Sequence, residues 1–147
     1  MKLKIAWIGR TKEPAINSLT AEYLKRLARY APAESQELSS EAALLKQLEK
    51  SGGRTAPVLV LLDFRGKQLT SEEFAEFLEH HQSRGSQTLL FAVGPPDGFT
   101  DAARHTASIT LSLGKMTLAH ELARVVLLEQ LYRAFTILKG HPYHTGH

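Results

Sequence analysis

Two short stretches of this chain are apolar at nearly every position: Val58-Leu59-Val60-Leu61-Leu62, and Leu89-Leu90-Phe91-Ala92-Val93 opened by Thr88. A strand sends successive side chains to opposite faces, so a run with no polar alternation has to be covered on both sides. Between the two runs, Ser71 opens a segment with Phe74, Phe77 and Leu78 at helical spacing, and Gly85 ends it. Glu72 and Glu73 stand in its first turn, where the helix dipole favours negative charge. The same alternation runs through the rest of the chain. Leu3–Ile8, closed by Gly9, reads as a strand. It is followed by a helix with Leu19, Tyr23, Leu27 and Tyr30 on one stripe. Glu34–Leu38 reads as a further strand, and Ser40 caps a helix ending at Gly52-Gly53. Thr100 caps a short helix to about Thr106, Ser108–Leu111 is the last strand, and a long helix runs from about Ala119 to Lys139. The expectation is an α/β fold: a mostly parallel sheet with helices on both faces, in one domain spanning 1–147.

Composition narrows the chemistry. The chain has no cysteine, which excludes a disulfide scaffold, thiolate metal ligands and a cysteine nucleophile. Its formal charge is only +3, but the first 30 residues carry seven Lys/Arg against two Asp/Glu, a basic region suited to RNA or to solvent alike. The apolar-rich stretch Leu118–Leu138 contains His120, Glu121, Arg124, Glu129 and Arg133, too many charges for a bilayer-spanning helix. The apolar run at the N-terminus is too short for a signal peptide. No membrane association is expected, and the location expected is cytoplasmic.

In parallel sheets ligands bind beyond the carboxyl ends of the strands. Three loops fall there: Asp63–Gly66, Gly94–Gly98 and Ser112–Thr117. Gly94-Pro95-Pro96-Asp97-Gly98 allows close approach of backbone to a ligand, and is equally ordinary turn chemistry. Leu111-Ser112-Leu113-Gly114-Lys115-Met116-Thr117-Leu118 sets apolar groups where they need a cover, as a slot for a flat ligand would, or as a plain strand-to-helix connection capped by Thr117. His141, His144 and His147 have a spacing that could hold a metal, but no carboxylate lies near them in sequence, and no metal site is expected. The last long helix is apolar nearly all round, so it requires either a second copy of the chain or a covering element of its own, and a homodimer is expected. Its charged residues Glu121, Arg124, Glu129 and Arg133 should then be paired or reach a site.

The residues Val93–Gly98, Leu111–His120, Arg124–Ala134 and Pro142-Tyr143-His144 resemble the ribosomal RNA large-subunit methyltransferase H family of the SPOUT class. Met1–Arg10 and Leu61-Leu62-Asp63-x-x-Gly66 are similar too, and segment order fits along the whole chain. The resemblance implies a C-terminal trefoil knot, a homodimer, and S-adenosylmethionine as methyl donor. It implies as substrate a pseudouridine in a hairpin loop of large-subunit rRNA, methylated at ring nitrogen 3 in the assembled ribosome. Carried over by position, the cofactor-binding residues are Leu62, Gly94, Leu113, Gly114, Lys115, Met116, Thr117 and Leu118. The candidate catalytic residues are His144 as general base, Tyr143 stacking on the target base, and Arg133 or Arg124 near phosphate or oxyanion. The chain departs from the family at Pro95, where a glycine is usual, and at Thr145-Gly146-His147, where a basic residue usually follows the Tyr-His pair. Those departures motivate a second reading, a knotted RNA- or ribosome-binding protein without catalysis; a third is the same catalyst acting on another RNA such as tRNA.

Overall fold

The computed structural model describes residues 1–51, 56–85 and 88–144. The expectations placed on Gly52-Gly53, on Thr145-Gly146-His147 and on the side chain of His144 lie outside what is described. The strands are β1 (Lys2–Ile8), β2 (Ala33–Leu38), β3 (Val58–Gln68), β4 (Thr88–Val93) and β5 (Ile109–Ser112). The helices are α1 (Pro14–Leu27), α2 (Glu41–Lys50), α3 (Ser71–Ser83), α4 (Asp101–Thr106) and α5 (His120–Leu138), followed by a 3₁₀ turn at Pro142–His144. The strands form one sheet in the order β2-β1-β4-β3-β5, and every pairing is parallel.

The doubly apolar runs sit at the middle of this sheet, as their lack of a polar face requires. Leu89, Phe91, Val93, Val60 and Leu62 point into a core shared with α1, α3 and α5. Leu90, Ala92, Leu59 and Leu61 point into a second core with Leu44 of α2 and Ala103 of α4. Helices therefore cover both faces. Among the described residues no helix is long and apolar enough to cross a membrane.

Local chemistry sets the element ends. Ser40 and Thr100 cap their helices by accepting the amides of Ala43 and Ala103. The α3 cap is Thr70, one residue before Ser71, because Thr70 and Glu73 close a reciprocal capping box. Thr117 does not cap α5: the N-cap position is Ala119, which makes no side-chain bond. In α1 the buried residues are Ile16, Thr20 and Leu27, whereas Leu19 is exposed and Tyr30 lies beyond the helix end. The buried face of α1 runs through Ile16, Thr20 and Leu27, and Leu19 lies off it.

β3 runs six residues past the apolar stretch, to Gln68. Leu62 pairs with Leu111, and after a shift Lys67 pairs with the same residue and Gln68 with Ser112. The intervening arch brings Gly66 against the β5 backbone, so close that a Cβ there would lie 2.6 Å from the Thr110 carbonyl carbon and 2.7 Å from the Leu111 nitrogen. Only glycine fits this crossing. Register places Trp7, Val93, Leu62 and Leu111 in one row across the sheet, so the loops beyond them open on a common edge.

Candidate functional site

On that edge a cavity of about 210 Å³ lies among the carboxyl ends of β3, β4 and β5. Leu62 and Gly94 line it, with Leu113, Gly114, Met116, Thr117 and Leu118 from the β5–α5 connection. Lys115, in the same connection, is exposed and does not line it. His120 and Ala123 complete the wall from the first turns of α5. Among the described residues the wall is largely apolar and carries two carboxylates, Asp63 and Asp97, and no lysine or arginine.

The Gly94–Gly98 loop is shaped by its own chemistry. The Gly98 amide donates to the Pro95 carbonyl at 2.9 Å, closing a turn with Pro96 at its second position. Pro95 thus contributes its carbonyl, and the N–H it lacks is not used by the turn. A Cβ on Gly94 would meet the buried ring of Phe99 at 2.8 Å.

Asp63 holds this loop in place, a role no sequence motif announced. Its side chain is fully buried and accepts from the Arg65 amide at 2.9 Å, Arg65 Nε at 3.0 Å and Arg65 Nη2 at 3.1 Å. Arg104 Nη1 stands 3.6 Å from the other face of the pair. Arg65 Nη2 also donates to the Phe99 carbonyl at 3.1 Å and Arg104 Nη1 donates to the same oxygen at 2.5 Å, so the end of the glycine loop hangs from the same cluster. Burial pushes the Asp63 carboxyl up, but the hydrogen bonds and charge of Arg65 and the Phe99 amide outweigh it and hold it below the usual carboxylate range. The one sequence signal was an acidic residue closing a buried strand two positions before an arginine.

The four charged residues of α5 are all engaged. Glu121 accepts the amides of Lys12 and Glu13, at 3.1 to 3.2 Å, and these bonds hold its carboxyl down against burial. Arg124 is buried with its guanidinium 3.6 Å from the Trp7 ring centroid, and its Nη2 donates to Thr11 Oγ1 at 2.8 Å. Both residues tie the β1–α1 loop to the start of α5.

Glu129 joins two of the candidate catalytic residues, Arg133 and Tyr143. Its Oε2 accepts from Arg133 Nη2 and from the Tyr143 hydroxyl, both at 2.8 Å. Tyr143 stands edge-on to Tyr132 at 4.8 Å between ring centroids, and His141 Nδ1 lies 2.7 Å from the Tyr30 hydroxyl. His141 and Tyr143 are therefore docked, on Tyr30 and on α5 respectively. Burial and the bond to Glu129 push the Tyr143 phenol well up, so it is a proton donor and not a base at neutral pH. Arg133 is 13 residues along α5 from His120, about 20 Å at 1.5 Å per residue. The structure thus joins Arg133 to Tyr143 but does not bring either to the cavity of the same chain.

Residues 1–144 match a family model described as "Predicted SPOUT methyltransferase". The chain is 63% identical over 147 residues to a ribosomal RNA large subunit methyltransferase H of Koribacter versatilis, covering 100% of both. Among solved structures, a probable methylase family protein of Haemophilus influenzae superposes with a TM-score of 0.62 at 11% identity, over 96% of this chain and 69% of that one. The SpoU methyltransferase AviRb of Streptomyces viridochromogenes, in complex with the cofactor AdoMet, gives a TM-score of 0.52 at 16% identity, over 88% of this chain and 56% of that one. At those identities the two structures show a shared fold.

Proposed function

The chain belongs to the SPOUT methyltransferase family, and we propose that it methylates ring nitrogen 3 of a pseudouridine in a hairpin loop of large-subunit rRNA, on the ribosome, with S-adenosylmethionine as donor. The observation that carries the reading is the cavity at the ends of β3, β4 and β5, lined by Leu62, Gly94 and the Leu113–Leu118 connection. Its character fits the donor. Apolar walls suit a flat adenine, and glycine backbones allow close approach. The Asp97 carboxylate, with no lysine or arginine among the described wall residues, suits a cationic sulfonium. The AdoMet complex of AviRb supports the same cofactor class.

When bound, S-adenosylmethionine supplies a methyl group already activated on positively charged sulfur. The protein's work is then orientation and exclusion of water. The loops at Leu62, Gly94 and Leu113–Leu118 hold the donor, with Asp63, Arg65 and Arg104 fixing the glycine loop. The target imide nitrogen must lose its proton, a step for which a positioned base contributes about 10²- to 10⁴-fold. We assign that role to His144, with Tyr143 and Arg133 contacting the RNA.

The separation of the Tyr143–Arg133 cluster from the cavity supports a homodimer in which one copy supplies the cavity and the other the chain end. Leu19 of α1 and Leu122 of α5, 42% and 52% exposed, supply apolar surface for the contact. We also infer the trefoil knot. Its support is the Gly66 arch over β5, together with the return of α5 from the sheet edge to pack against both α1 and α3. A cytoplasmic location is the one that suits a ribosomal substrate.

The test is transfer of labelled methyl groups to ribosomes from a strain lacking this enzyme, beside free rRNA and tRNA. Label in the large-subunit rRNA of ribosomes, located at N3 of a pseudouridine, is the expected result. Label confined to tRNA would redirect the substrate, and binding to ribosomes without transfer would support the non-catalytic reading.

A further inference from the structure

We propose that Phe64 is a stacking platform for a base of the RNA substrate, at the rim of the cavity. The assignment rests on the methyltransferase reading above. Phe64 follows Asp63 at the carboxyl end of the apolar part of β3 and is 64% exposed. The chain has six phenylalanines, and the other five are buried or half-buried. Phe64 belongs to neither core cluster, so the fold makes no use of its ring. Among the described residues it is also the only Phe, Tyr or Trp on the cavity wall.

The ring is held for use. Arg65 is fixed by its two side-chain bonds to Asp63 and one to the Phe99 carbonyl, and its guanidinium carbon lies 5.1 Å from the Phe64 ring centroid. A cation anchored in this way restrains the ring at low entropic cost to any ligand that stacks on it. Arg65 is itself 44% exposed on its side chain, which leaves positive charge beside the ring for a phosphate. Met116, 84% exposed on the β5–α5 connection, offers a second apolar group on the same wall.

The chemistry of the site calls for such a surface. An enzyme that modifies a base in folded nucleic acid takes it out of its stack, and the lost stacking is replaced by aromatic or apolar side chains in the site. A ring flanked by an exposed cation, at the mouth of the donor cavity, matches a nucleotide better than the apolar side chains of a second protein copy.

The test compares wild type with Phe64→Ala, Phe64→Leu and Phe64→Trp for methyl transfer to ribosomes, with S-adenosylmethionine affinity by calorimetry and mass by sedimentation. Because Phe64 is exposed, all three variants should fold. Phe64→Ala should raise KM for ribosomes roughly 5- to 100-fold, with donor affinity and sedimentation unchanged. Phe64→Trp should restore KM and Phe64→Leu should not. A Leu variant equal to wild type would overturn stacking. Loss of donor affinity would move the ring onto the cofactor, and loss of the oligomer would move it into an interface; either result overturns the proposal. Wild type inactive on ribosomes, free rRNA and tRNA would instead refute the methyltransferase reading, and this assignment with it.

Discussion

Replacing Asp63 by asparagine removes one negative charge and almost no volume, at a point where two guanidinium groups converge. The carboxylate accepts three bonds from Arg65 and faces Arg104 at 3.6 Å, with its side chain fully buried. Asparagine keeps one acceptor oxygen but turns an amide donor toward guanidinium donors. Hydrogen bonds to charged groups are worth about 1.5–3 kcal/mol each. Arg65 is nearly half exposed, so its share is screened. A net loss of about 2–3 kcal/mol is expected, lowering Tm by roughly 5–10 °C for a chain of this size. The pH dependence has a definite sign. The folded pKa of Asp63 is depressed, so its contribution is complete above the unfolded value near ~3.9 and disappears as pH falls through the folded one. The Tm gap between wild type and Asp63→Asn should therefore be constant from neutral pH to about 5 and close below about 4. Calorimetric scans of both proteins across that range, with S-adenosylmethionine titrations at neutral pH, make the measurement. The variant should also bind the donor more weakly, because Phe99 and the loop before it lose their anchor. A variant with unchanged Tm and unchanged donor affinity would refute the role given to Asp63.

Gly66→Ala should destabilise the fold by about 3 kcal/mol, the upper end for overpacking, because its Cβ meets backbone that cannot rotate away; a urea midpoint equal to wild type would show that the crossing is looser than described. Deleting residues 141–147 should lower stability by roughly 2 kcal/mol through the lost Tyr143–Tyr132 and His141–Tyr30 contacts and the Glu129 bond, while donor binding stays measurable; an unchanged melting curve would mean the chain end is not docked in solution. Leu122→Glu should convert dimers to monomers in sedimentation at micromolar concentration, and a monomeric wild type would remove the dimer altogether. His144→Gln should reduce methyl transfer at least tenfold with donor affinity retained, and transfer within about threefold of wild type would remove His144 as base.

Much of the fold was legible because it rests on burial. β4 coincides with the apolar run Thr88–Val93, and α4 begins at the Thr100 cap and ends at Thr106. Where the determinant was something other than hydrophobic periodicity, the sequence was opaque. Residues 63–68 of β3 are mostly polar, and their pairing depends on an arch over β5 that a glycine at position 66 permits. Leu19 is exposed while Ile16 and Thr20 of the same helix are buried, a helix phase that apolar spacing alone did not fix. At the site, the segments expected at strand ends do converge on one cavity, since parallel strands in register bring their ends level, but Asp63–Gly66 belongs to β3 and is not the loop expected. The Asp63–Arg65 pair meets Arg104 from far along the chain, and His141 and Tyr143 are docked by Tyr30, Tyr132 and Glu129 through contacts no local pattern encodes.

The proposed chemistry stands or falls on whether the cavity at the ends of β3, β4 and β5 holds the methyl donor. A crystal structure of the protein with S-adenosylhomocysteine, the demethylated product, answers that. The nucleoside should lie between Gly94 and the Leu113–Leu118 connection, in contact with Leu62, with the glycine loop still tied to Arg65 and Arg104. Ligand bound elsewhere, or a cavity left empty under conditions where calorimetry shows saturation, would contradict the assignment.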